Sequence, residues 1–223
     1  DNTYAAGHTD SGYYIGQCQP CNAMLSNNLS EYNTLAYSGT NAGGDLFIVN
    51  NEFRMNRIGV TPNTLNSEEL APQRGATFAG NWIHSNGNPE TPKGGNTWEL
   101  AYGVGMVLPG ANNNLVSRNL IENNLNGGVA VSFMPDGDTF WLAENNTITD
   151  NVFRGNGIDA VMVDQGGGEG LGNCFSGNTL DTSRPADIDT VLPCDGPEGD
   201  LSDMIGIDFF SPPGADENVP YAD

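Results

Sequence analysis

Short apolar runs recur along this chain, each followed by the same polar punctuation. Leu25 leads to Asn28, Ser30 and Asn33, and Ile48 leads to Asn51, Phe53, Asn56 and Gly59-Val60. Phe78 leads to Asn81, Ile83 and Asn86, and Val116 to Asn119, Ile121, Asn124 and Gly127-Gly128-Val129. Ile148 leads to Asn151, Phe153, Asn156 and Ala160-Val161, and a degenerate last copy runs Asn173, Phe175, Asn178. On this reading the first Asn of each copy recurs after 23, 30, 38, 32 and 22 residues. The runs alternate with period two and are rich in Val, Ile and Phe, which predicts short strands. Asn66–Leu70 is the best helical stretch, and it supports a single turn at most. Self-similarity at this period predicts a solenoid of about six coils.

Asn at two fixed offsets has a physical reason. A tight bend between short strands needs left-handed or bridge backbone angles, which Asn tolerates. Copies of the same Asn in successive coils can then pass amide hydrogen bonds up the stack. With its NxhxxNxxG pattern, clearest at Asn51–Gly59, Asn119–Gly127 and Asn151–Asn156, the chain resembles the right-handed parallel β-helix repeat proteins. The resemblance implies an all-β parallel β-helix and leaves function open, because that superfamily holds pectate lyases, polygalacturonases, alginate epimerases, phage tailspikes, periplasmic accessory proteins and many uncharacterised secreted proteins. The repeat region is assigned to residues 1–180. Residues 181–223 are expected to form an irregular acidic C-terminal cap on the last coil, with Ile205-Gly206-Ile207-Asp208-Phe209-Phe210 as its apolar plug. No comparable plug precedes Tyr13-Tyr14-Ile15, so either more chain lies upstream or a partner covers that end.

Composition narrows the partners. Seven Lys and Arg stand against 28 Asp and Glu, a net charge of −21. A surface of this sign repels phosphate, which argues against nucleic acid. No apolar run is long enough to cross a bilayer, so membrane insertion is not expected. Carbohydrate or other protein subunits remain as partners. The first residue is Asp1 rather than Met, which suggests a leader has been removed. Four cysteines fit a secreted, cell-surface or periplasmic address. Cys174 and Cys194 are expected to pair. Cys18-Gln-Pro-Cys21 reads as strand, turn, strand, which favours a turn disulfide or two small buried thiols over a redox motif.

If the Asn columns stack, every other column does too. Three residues after the first Asn come Glu31, Arg54, His84, Glu122, Arg154 and Ser176. This file reads either as an ion-pair ladder or as a substrate groove. In the groove reading, carboxylates and His84 act as acid and base while Arg54 and Arg154 clamp the substrate. The ladder is preferred. Trp82, Trp98, Tyr102 and Trp141 lie in or beside the longest insertions, where exposed rings would stack on sugars and buried ones would pack the core. Asp136 and Asp138 offer two carboxylates to Ca²⁺, and Pro135-Asp136-Gly137-Asp138 reads equally as a turn between strands. Gly166-Gly167-Gly168 is followed by Glu169 and is no phosphate loop. The Asp-Asp and Gly-His-Gly of the polygalacturonases and the Asp-Pro-His of the alginate epimerases are missing, so no catalytic residue carries over. The resulting expectation is a secreted or surface scaffold or binding module. A polysaccharide lyase or hydrolase using the charged file is the alternative.

Overall fold

The computed structural model describes residues 1–206. The chain winds into six complete coils and a short seventh strand, giving three parallel sheets. A typical coil is the second. Leu29–Glu31 lies in sheet 1, Leu35–Thr40 in sheet 2 and Leu46–Val49 in sheet 3. Each strand pairs in register with its equivalent one coil on, as Leu29, Ser30 and Glu31 do with Glu52, Phe53 and Arg54. Inward side chains stack into one apolar core containing Phe53, Ile83, Ile121 and Phe153 from sheet 1, Val60, Met106 and Val129 from sheet 2, and Ile48, Phe78, Val116 and Ile148 from sheet 3. Gly59 allows close packing between coils, since a Cβ there would meet the Gly105 carbonyl oxygen at 1.8 Å.

Asparagine ladders run up the corners. Between sheets 3 and 1 the rungs are Asn28, Asn51, Asn81, Asn119, Asn151 and Asn178. Between sheets 1 and 2 they are Asn33, Asn56, Asn86, Asn124 and Asn156. Each inner rung is saturated. Asn81 Oδ1 accepts from both the backbone N–H and Nδ2 of Asn51, while Asn81 Nδ2 donates to Ile48 O and Asn119 Oδ1. A third ladder, Gln73–Asn114–Asn146–Asn173, occupies the corner between sheets 2 and 3.

This corrects the last repeat. Asn173 is a rung of the third ladder, and Asn178 is the residue that stacks on Asn151, 27 positions on. The bend is also made differently than expected. The left-handed residue is the one before each rung: Asn50, Arg118 and Asp150 at the first corner and Tyr32, Met55, Ser85 and Asn123 at the second. That residue turns the backbone, leaving the rung's side chain free to point along the stack.

The C-terminal end is closed. Ile188, Leu192 and Leu201 are buried against the core, and the one-turn helix Ile188–Val191 covers the last coil. Two of the three ladders end on carboxylates. Asp189 accepts from the N–H and Nδ2 of Asn178, both at 2.9 Å, and Asp159 accepts from Nδ2 of Asn156 at 2.9 Å. Of the expected plug, Ile205 pairs with Val163 on the strand edge opposite Val131, at the C-terminal end of sheet 2, and Ile207 to Phe210 lie outside the described residues. Asn66–Leu70 forms turns and no helix. Disulfides join Cys18 to Cys21 and Cys174 to Cys194.

Candidate functional site

The three outer faces differ in what they expose. Sheet 2 is covered, because Trp98, Leu100 and Ala101 of the insertion after Gly87 pack on Leu35, Ile58 and Val104. That insertion is fastened by a buried ion pair in which Arg57 Nε lies 2.8 Å from both Glu99 oxygens and Nη2 lies 2.7 Å from Oε2. The Arg57 guanidinium also sits 4.6 Å above the Tyr102 ring. A second insertion is tied to the hairpin Met134–Asp136/Thr139–Trp141 through Asn66, which donates to Asp136 O and accepts from Trp141 Nε1.

Sheet 1 is open and carries the charged residues. Its outward side chains form two files. One runs Tyr4, Leu29, Glu52, Trp82, Leu120, Val152, and the other Ala6, Glu31, Arg54, His84, Glu122, Arg154. The second file is the one expected from the repeat, except that Ser176 pairs with Thr149 in sheet 3 and is not part of it. The cause is the five-residue slip of the last repeat.

Contacts within this face close on themselves. Arg54 bridges Glu31 and Glu52, both at 2.8 Å, and His84 Nε2 lies 3.2 Å from Glu52 Oε1. Tyr4 donates its hydroxyl to Glu31, and Trp82 Nε1 donates to Glu122, at 2.8 and 2.9 Å. Burial pushes the Glu31 carboxyl upward, but hydrogen bonds from Arg54 and Tyr4 outweigh it and hold the group below its ordinary range. The Trp82 and His84 rings stack at 4.0 Å and 21°, leaving Trp82 41% exposed. Arg154 is exposed and forms no ion pair among the described residues.

The other candidates do not converge here. Tyr102 is buried and donates to Gly87 O. Trp98 packs on sheet 2, and Trp141 is half-buried against the hairpin's neighbour Asn66. Gly137-Asp138 is the tip of the two-residue hairpin, and Asp136 faces Asn66. Among the described residues no three His, Cys, Asp or Glu side chains come together as a metal set. The Gly166-Gly167-Gly168 amides converge on Asp164 Oδ1, and those three hydrogen bonds hold its carboxyl below the usual range. Among the described residues no helix is long and apolar enough to cross a membrane.

A family model described as the right-handed β-helix region matches residues 73–189, just over half of the chain. The chain belongs to this β-helix family. No curated protein and no solved structure matches it. The match takes in Trp82, His84, Glu122 and Arg154 but starts after Glu31, Glu52 and Arg54, so the β-helix assignment supplies the scaffold of the sheet 1 face and no chemistry for it.

Sequence reasoning missed three parts of this site. Glu52 and Tyr4 sit at registers the single Asn-plus-three column did not sample. The Trp82–His84 stack follows from i and i+2 side chains sharing one face of a strand, a spacing the sequence displays.

Proposed function

We propose that the protein is a non-catalytic β-helix binding scaffold that contacts carbohydrate through the outer face of sheet 1, centred on Trp82. The observation that carries this reading is the closure of the charged ladder. Arg54 is held by Glu31 and Glu52, His84 by Glu52, and Glu122 by Trp82. A general acid or base needs a proton within reach of a reacting group, and these carboxylates instead pair with their neighbours across a flat sheet. What the face presents is a rigid, half-exposed indole backed by an imidazole, rimmed by hydrogen-bonding acids and arginines. An amphipathic ring of this kind suits the apolar face of a sugar, and the bordering side chains suit its hydroxyls. Tyr4 stands in the same file three coils away, about 14 Å along the stack, giving an elongated glycan two rings to rest on. Two disulfides support an extracytoplasmic address.

The test is affinity electrophoresis against a panel of neutral and acidic glycans, with chromatography of the glycans afterwards. At least one glycan should retard the protein, and Trp82→Ala should weaken retardation at least tenfold while the circular dichroism spectrum is unchanged. Shortened or unsaturated products would replace this reading with an enzymatic one. Retardation equal in wild type and Trp82→Ala would move the binding surface elsewhere.

A further inference from the structure

Sheet 3 is the face that remains. Its strands, Ala23–Ser26, Leu46–Val49, Ala76–Ala79, Leu115–Ser117, Thr147–Thr149 and Cys174–Ser176, contain no charged residue. In a chain of net charge −21 this is an uncharged strip the full length of the stack, and no insertion is paired onto it among the described residues. Acids at the corners flank it, Asp45 on one side and Asp150 on the other. One outward file reads Met24, Phe47, Thr77, Leu115, Thr147, Cys174, and its first, second and fourth members are exposed large apolar side chains, at 62, 39 and 38%.

We propose that this face is where two copies of the chain meet. Charge selects the partner surface. Two molecules of the same large negative charge approach most closely where neither has to desolvate a charge, and of the two open faces sheet 3 is the one whose strands carry none. The file is also self-complementary. Reversed about the gap between Phe47 and Thr77, it sets Met24 opposite Leu115 and lays the Phe47 ring over the short Thr77. One two-fold arrangement therefore buries all three exposed apolar side chains, as an isologous contact requires. Six strands at about 4.8 Å spacing and four residues of width give a flat strip of only a few hundred Å². That is well short of the roughly 800 Å² per partner of a standard interface, so the dimer is a weak one.

Sedimentation velocity of the full chain, from 5 to 300 µM protein and from 20 to 500 mM NaCl, tests this with an unusual sign. Dimer should increase with concentration and also with salt, because salt screens the repulsion between two anionic bodies without weakening an uncharged contact. Phe47→Glu and Phe47→Lys should both weaken association at least tenfold, although they move the net charge in opposite directions, and Trp82→Ala on sheet 1 should leave it unchanged. Thr77→Glu, on the next coil of the same file, serves if a Phe47 variant loses its β-sheet spectrum. A monomer at every concentration and salt, or a dimer that survives the sheet 3 variants, overturns the proposal. Loss of dimer with salt does the same, since it would assign association to ion pairs elsewhere.

Discussion

Each inner ladder asparagine makes four hydrogen bonds in a dry corner, and its amide is used completely. Replacing Asn81 with Leu leaves the N–H of Asn51 without its acceptor, removes the amide donor from Ile48 O, and takes one of two partners from each of Asn51 Nδ2 and Asn119 Oδ1, which keep Leu25 O and the residue 81 N–H. An unpaired buried group costs about 1–3 kcal/mol, so Asn81→Leu should lower stability by about 2–4 kcal/mol in urea unfolding, beyond the loss of one hydrogen bond. The last rung has a different requirement. Asn178 has only donors left to satisfy, which a carboxylate does with two acceptor oxygens and an amide does with one. Asp189→Asn should cost about 1–2 kcal/mol despite its near-identical shape, measured the same way. The stacking of these residues was legible in the sequence because Asn recurs at fixed offsets. The third ladder was legible too, in the five-residue stagger of Asn114, Asn119 and Asn124 and of Asn146, Asn151 and Asn156. It was hidden because its first rung is Gln73 and its corner falls where the insertions vary.

At the scale of elements, strands and insertions obey different rules. Strands are set by alternation and by the rung after each bend, which is local information. The insertion after Gly87 is held by Arg57 reaching Glu99, 42 residues away, across a coil boundary. No periodicity announces such a pair, so the insertion's length was readable and its anchorage was not. Glu99→Gln would remove the carboxylate from a buried pair with Arg57, a loss of about 3–5 kcal/mol for breaking a buried pair. Limited proteolysis should then cut first between residues 87 and 103, whereas the wild-type insertion resists. The candidate site shows the same division. Glu31, Arg54, His84, Glu122 and Arg154 align because the strand register aligns them, while the closure of their contacts through Glu52, Trp82 and Tyr4 needed the side chains in place.

For the molecule as a whole, Glu31 and Tyr14 are among the groups that bound the pH range of full stability. Glu31 lies below its ordinary value in the folded protein, so its contribution is present above the unfolded carboxylate value of about 4.3 and is lost as pH falls through the folded one. Tyr14 has the opposite sense. Burial and its hydrogen bond to Glu68 push the phenol up to about 12, so its contribution is present below about 10 and fades as pH rises toward 12. Stability against urea should be level between these limits, with Glu31→Gln flattening the acid limb and Tyr14→Phe the alkaline one. A Glu31→Gln protein whose acid limb matches wild type would remove Glu31 from the account.

The corner amides all aim the same way, each N–H toward the next coil and each oxygen toward the one before. Their dipoles therefore add along the axis instead of cancelling, and the positive pole of two of the three columns arrives where Asp159 and Asp189 stand. Those two acids act as stop signals as well as hydrogen-bond acceptors. A designer lengthening this rod should splice new windings upstream of Asp159, because any added beyond it would begin at a pole already neutralised.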